Sequence, residues 1–315
     1  MIRILNAEAN NYSAEATAIL HEVGDVTLQE NLSRADLLAC IPQFDVLIVR
    51  LGFQIDRALI DTAKRLKVIV SATTGVDHID MAYANEKNIA VLTLRGEVEF
   101  LKSIPATVEH TLGLMLALIR QTPWAFESVK SGRWDRDAFK GHDLFQQTLG
   151  IVGLGRIGER VAHLARALGM SINVYDPYRD AFPDFVDRAD TLNELLPEVD
   201  ILTIHAPLNQ ETIHLISFDE LARMKSQSYV INTARGDIIN DVALLQNLME
   251  GHIAGAALDV IPDERFLSKR GSPLIEYACE HNNLLITPHI GGATYESMAM
   301  TEIFMARKLQ RHLSK

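Results

Sequence analysis

At 315 residues, 48% apolar and 23% charged, the chain suits about two ordinary soluble domains and can bury sizeable cores without metals or disulfides. A net charge of −11 argues against a nucleic-acid or anionic-membrane surface, since either needs a basic face. Cys40 and Cys279 lie in no C-x-x-C, MIRILNAEAN lacks a signal-peptide core, and the longest apolar stretch, 112–119, cannot span a bilayer, so a reduced, cytoplasmic compartment is expected.

From the N-terminus, apolar runs at 2–5, 26–28, 46–49, 68–70 and 90–94 read as strands separated by helical patterns. Ser33 with Asp36 makes a capping box, Pro42 ends that helix and Asp56 caps the next. Five strands with intervening helices predict a small parallel α/β domain of flavodoxin-like build. A helix over 106–119 then follows, apolar nearly all round. It must be covered on most sides, either in a domain or subunit interface or as the central helix of one core. Trp134 reads as an interface or loop anchor without chemistry.

The segment TLGIVGLGRIGERVAHLARALGMSINVYD, 148–176, organises the rest. A buried strand leads into Gly153, Gly155 and Gly158 in G-x-G-x-x-G spacing. The helix beginning there carries Ile157, Val161, Leu164, Ala165 and Leu168 on one stripe, and Gly169 stops it. A second strand ends on Asp176. Gly153 permits a tight turn, Gly155 lets backbone approach a pyrophosphate, and Gly158 lets helix pack on strand. Asp176 suits two ribose hydroxyls and repels a 2′-phosphate, which favours NAD over NADP. Further strands read at 201–205, 229–232, 253–258 and 284–287; Thr191 with Glu194 and Ser217 with Glu220 are capping boxes, and Asn240 caps a helix closed by Gly251.

In an open α/β sheet, ligands bind beyond the carboxyl ends of strands. That rule places the Gly153 loop, Asp176, His205-Ala206-Pro207, Thr233-Ala234-Arg235-Gly236, Asp259 and the Pro288 to Gly292 segment on one rim. Reduction of a carbonyl with nicotinamide needs a proton donor to oxygen, and His289 is the choice. It needs a carboxylate beside it to favour the charged ring and fix its tautomer; Glu264 is best placed. A guanidinium, Arg235, can hold an anionic substrate and polarise its carbonyl.

The segments GIVGLGRIG, HAPLNQET, INTARGDIIN, ALDVIPDE and TPHIGG, with TTGVDHID and ATVEHTLGLMLALIR before them, resemble the D-isomer-specific 2-hydroxyacid dehydrogenases over roughly residues 45–295. The resemblance implies an NAD-binding Rossmann domain, 98–288, inserted into a flavodoxin-like substrate domain, 1–97 plus 289–315, with a cleft between them. It implies an Arg/Glu/His active site falling on Arg235, Glu264 and His289. The implied cofactor contacts are Gly153, Gly155, Arg156, Ile157, Gly158, Asp176, His205, Ala206, Pro207, Thr212, Thr233, Ala234, Arg235, Asp259, His289, Gly291 and Gly292. Backbone at Thr74, Gly75 and Val76 would bind the substrate carboxylate, no metal is called for, and a homodimer through the cofactor domain is expected.

Arg265 stands where that family has proline. Arg50, Arg95 and Lys102 either complement a second anionic group on the substrate or are solvated surface charges. The chain ends after one helix, so no extra regulatory domain is expected. The sequence therefore predicts hydride transfer between NAD(H) and a small 2-oxo or 2-hydroxy acid. Glu264 argues against formate dehydrogenase, which pairs its histidine with glutamine. The alternatives are a non-catalytic NAD(H)-sensing protein of the same fold and an idle paralogue.

Overall fold

The computed structural model describes residues 1–267 and 271–314. It divides into two compact units, Met1–Ile104 with Ala293–Lys315, and Pro105–Gly292.

In the first unit, β1 (Arg3–Asn6), β2 (Asp25–Leu28), β3 (Val46–Val49), β4 (Val68–Ser71) and β5 (Ala90–Leu92) form a parallel sheet of order β2-β1-β3-β4-β5. This is the flavodoxin order, with its topological switch between β1 and β3. Alternation along the strands builds a core on each face. Leu5, Leu47 and Ile69 join Leu37, Leu59 and Ile55 on one side; Ile4, Val46, Ile48 and Val70 join Leu20, Met305 and Leu309 on the other. Each such side chain contributes about 1.5–3 kcal/mol by leaving water. Helices α1 (Ala14–His21), α2 (Arg34–Cys40), α3 (Arg57–Thr62) and α4 (Met81–Glu86) connect the strands, and α5 (Val98–Leu101) follows β5. Asp56 caps α3 by accepting from Leu59 N at 3.0 Å, and Ser33 caps α2 by accepting from Asp36 N at 3.2 Å.

In the second unit, α6 (Ala106–Ile119) and α7 (Thr122–Lys130) precede β6 (Thr148–Val152), α8 (Arg156–Ala167), β7 (Ser171–Tyr175) and β8 (Asp187–Arg188). Next come α9 (Leu192–Leu195), β9 (Ile201–Ile204), α10 (Phe218–Arg223), β10 (Ser228–Asn232) and α11 (Asp241–Met249). The unit closes with β11 (Ile253–Leu258), α12 (Pro273–Glu280) and β12 (Leu284–Ile286). The sheet runs β12-β11-β10-β9-β6-β7-β8, all parallel. Read from β6, this is the doubly wound dinucleotide-binding order with one extra strand. The helix α6 packs on α8 and on β10, β11 and β12. Val108, Met115 and Leu118 are buried there, whereas Leu116 stays 40% exposed.

Three differences from the sequence reading have physical causes. β8 was not anticipated because Asp187 and Arg188 are charged and exposed, and only backbone pairing with β7 makes them a strand. The first border moves from 97/98 to 104/105 because Leu101 and Ile104 are buried in the core that holds Met305 and Leu309. The second moves from 288/289 to 292/293 because Ile290 and Gly291 donate their backbone N–H groups to Asp259. The last helix, α13 (Tyr295–Leu313), packs on α1, β4 and β5 of the first unit.

Candidate active site

Because every strand of the second unit is parallel, the residues that follow them share one edge of the sheet. In spatial order these are Asp176, Gly153, His205, Thr233 to Arg235, Asp259 and His289. Neighbouring strands lie about 4.8 Å apart, so the strand ends carrying Asp176 and Arg235 are about 14 Å from one another.

Gly153 sits at φ +92, and a Cβ there would meet Ala206 N and the His205 carbonyl at 3.0 Å. A Cβ on Gly158 would lie 2.2 Å from Gly153 O, so the helix can start this close to the strand only as glycine. At Gly155 a Cβ would meet nothing within 4 Å. It would instead fill the open space over the loop. Gly155 is also the N-cap of α8, and no side chain caps that end, which leaves Arg156 and Ile157 opening a helix whose dipole favours an anion. Asp176 accepts from Leu154 N at 2.8 Å and Tyr178 N at 3.0 Å, one bond per carboxylate oxygen. Both oxygens keep lone pairs for further donors.

His289 Nδ1 lies 2.6 Å from Glu264 Oε1, both side chains about one-quarter exposed. Two backbone features deliver this pair. His289 adopts φ 53, and Asp263, immediately before Glu264, adopts φ 54, so each partner lies at a left-handed turn of the backbone. The carboxylate of Asp259 then accepts from Ile290 N at 2.9 Å, Gly291 N at 2.7 Å, Thr287 Oγ1 at 2.6 Å and His110 Nε2 at 3.0 Å. Burial alone would raise its pKa, but the bonds from His110, Thr287, Ile290 and Gly291 outweigh burial and lower it. A Cβ on Gly291 would lie 2.8 Å from Asp259 Oδ2, so a larger residue there would displace this carboxylate.

Asn232, fully buried at the end of β10, accepts from Ala234 N and donates to Arg235 O, both at 2.9 Å. It therefore shapes the turn that presents Arg235, whose Nη1 donates to Ala234 O at 2.7 Å. A Cβ on Gly236 would lie 2.1 Å from the Ile261 carbonyl carbon, so glycine brings the Arg235 turn against the loop that leads to Glu264. Thr233 bonds Thr111 through the two hydroxyls at 2.9 Å. Thr212 accepts from Asn209 N at 2.8 Å and donates to Pro207 O at 2.7 Å, holding the loop after Ala206. His205 Nε2 pairs with Thr203 Oγ1 at 3.0 Å. Gly292 has open space where a Cβ would stand.

Sequence reasoning missed Asn232 and His110 as members of this site. The available signal for His110 was a histidine beside Glu109 near the start of a largely apolar helix.

In the first unit, Thr73 Oγ1 donates to Gly75 O at 2.8 Å and fixes the loop through Thr74, Gly75 and Val76. Arg50 is half-buried: it donates to Glu302 Oε1 at 2.5 Å and to Asn10 O at 3.0 Å, and Glu302 is 2% exposed. It is thus neither a solvated surface charge nor an unengaged cation. Arg95 is exposed, and Lys102 pairs with Glu99 at 2.7 Å on the surface.

The family model described as D-isomer specific 2-hydroxyacid dehydrogenase, NAD binding domain, matches residues 112–291. The chain belongs to that family. It is 40% identical over 302 residues to D-3-phosphoglycerate dehydrogenase of Methanocaldococcus jannaschii, covering 95% of this chain and 55% of that protein. It is 36% identical over 300 residues to hydroxypyruvate reductase of Thermotoga maritima, covering 95% of each. The chain therefore spans about half the length of the phosphoglycerate dehydrogenases it matches. Among solved structures, D-lactate dehydrogenase from Aquifex aeolicus, complexed with NAD and lactic acid, superposes with a TM-score of 0.85 at 26% identity. That match covers 99% of this chain and 95% of the other. As a 2-hydroxyacid dehydrogenase family member the chain takes NAD, and its residues fit that cofactor: an open cradle at Gly155, an uncapped α8, and an acid at the end of β7. No helix among the described residues is long and apolar enough to cross a membrane.

Proposed function

We propose that the protein is an NAD-dependent D-2-hydroxyacid dehydrogenase acting on a small 2-oxo or 2-hydroxy acid. The observation that carries this reading is the His289–Glu264 contact of 2.6 Å on the same sheet edge as the glycine loop. With Nδ1 facing Glu264, the ring keeps Nε2 to give a proton to the carbonyl oxygen, or to take one from the hydroxyl in reverse. Arg235 holds carboxylate and carbonyl through its planar fork. The Gly153 loop, the open N-terminus of α8 and Asp176 would hold the dinucleotide, which when bound would supply the hydride for carbon 2 or accept it in the opposite direction.

The test follows NADH oxidation with glyoxylate, pyruvate, hydroxypyruvate and 3-phosphohydroxypyruvate. His289→Ala lowers turnover about 10²- to 10⁴-fold with NADH affinity nearly unchanged. Full activity in that variant removes His289 from the mechanism. Tight NADH binding without turnover of any of the four acids transfers the reading to a non-catalytic NAD(H) sensor. The same proposal includes a homodimer through the NAD-binding unit, supported by Phe126 and Val129 of α7, 62% and 50% exposed, and Trp134 just beyond, 89% exposed. A cytoplasmic setting completes it.

A further inference from the structure

Arg179 and Glu159 belong to none of the roles above, yet Arg179 bonds the same glycine-loop residue that Asp176 bonds. Leu154, between Gly153 and Gly155, donates its N–H to Asp176 Oδ2 at 2.8 Å, and its carbonyl oxygen accepts from Arg179 Nη1. The carboxylate that suits ribose hydroxyls and a guanidinium three residues later thus flank one residue of the glycine loop. The guanidinium is committed elsewhere. Its Nη1 also donates to Glu159 Oε2 at 2.8 Å, and its Nε donates to Ala181 O at 2.6 Å. Glu159 lies in the first turn of α8, where a carboxylate is also favoured by the helix dipole.

Among the groups described above, Asp176 is the one that disfavours a 2′-phosphate. An arginine this close would weaken such selection, because a planar guanidinium is a good partner for a phosphate of about −1.5 to −2 charge. We infer that Glu159 is a second determinant of cofactor choice: by pairing Arg179 against the glycine loop it keeps that cation from serving a 2′-phosphate. Glu211, which accepts from the Tyr178 hydroxyl on the neighbouring loop, adds a further negative group at this edge. This inference rests on the dinucleotide reading of Asp176 and deepens it. It makes Glu159 a positioning residue that acts through Arg179.

The competing role for Arg179 is a plain brace of the loop, and cofactor affinity separates the two. The experiment measures NADH and NADPH dissociation constants by fluorescence for the full chain as wild type, Asp176→Ser, Asp176→Ser with Glu159→Gln, and that pair with Arg179→Ala. Asp176→Ser alone improves NADPH binding relative to NADH. Adding Glu159→Gln improves NADPH affinity by about tenfold or more again, the worth of one charge-assisted contact. Adding Arg179→Ala then removes that second gain. The inference is overturned if Glu159→Gln adds nothing for NADPH, if its gain survives Arg179→Ala, or if it weakens both cofactors equally, which is what a brace does. A wild-type protein that binds NADPH as tightly as NADH contradicts the reading of Asp176 itself, a failure distinguishable from these.

Discussion

His205 and Asp259 both stand on the functional edge, and the protein treats their charges in opposite ways. Burial pushes the His205 imidazole down to about 3, so it is neutral while its ring bonds Thr203. An unfolded histidine titrates near about 6.5. As pH falls from there toward about 3, the unfolded chain takes up a proton that the native chain refuses, and stability is lost across that window. Above it the group contributes no pH dependence. His205→Gln removes the titration, so the melting temperature of the variant falls less steeply than wild type between pH of about 6 and 4. Parallel slopes in thermal melts would refute this. Asp259 is depressed by its hydrogen bonds, so its contribution is present above the ordinary carboxylate value near about 3.9 and is lost only below it. Strand order in the sequence sets Asp259 beyond an apolar run, and in the structure it follows the last residue of β11. That its carboxylate braces the His289 turn was not legible, because His110, one of its donors, is 149 residues away in the chain.

At the scale of elements, the strand ends were legible because parallel strands buried on both faces read as near-continuous apolar runs, as in VLIV of β3 and ILTI of β9, where only Thr203 interrupts. The caps were legible because they are local: Thr191 Oγ1 accepts from Glu194 N at 3.2 Å and Glu194 Oε2 accepts from Thr191 N at 3.3 Å. Loop-to-loop approaches have no such local signature. Gly236 reads as an ordinary turn glycine, yet its missing Cβ is what admits the Ile261–Pro262 backbone. Gly236→Ala is expected to destabilise the protein by about 1–3 kcal/mol through overpacking and to lower turnover by moving Arg235 away from the Glu264 loop. Denaturant unfolding and a turnover assay on the same preparation check both halves. An alanine variant of native stability and native activity would show that the loops yield freely.

At the scale of the whole molecule, the chain forms a first unit, leaves it after Ile104, builds the NAD-binding unit and returns at Ala293. The proposed homodimer is checked by analytical ultracentrifugation: wild type sediments as two chains, and Val129→Glu shifts it toward one chain without altering NADH affinity per site. A monomeric wild type would remove the dimer. By itself the sequence determined the parallel α/β class, the glycine loop with its terminal acid, and the list of residues beyond the strand ends, because hydrophobic period and glycine spacing are local properties of the chain. Tertiary structure decided what those residues do to one another: that Arg50 meets Glu302, that Arg179 is held by Glu159, and that Asp259 gathers Thr287, Ile290, Gly291 and His110. These contacts join segments distant in sequence, and hydrogen-bond partners depend on the three-dimensional approach of loops, which no periodicity encodes.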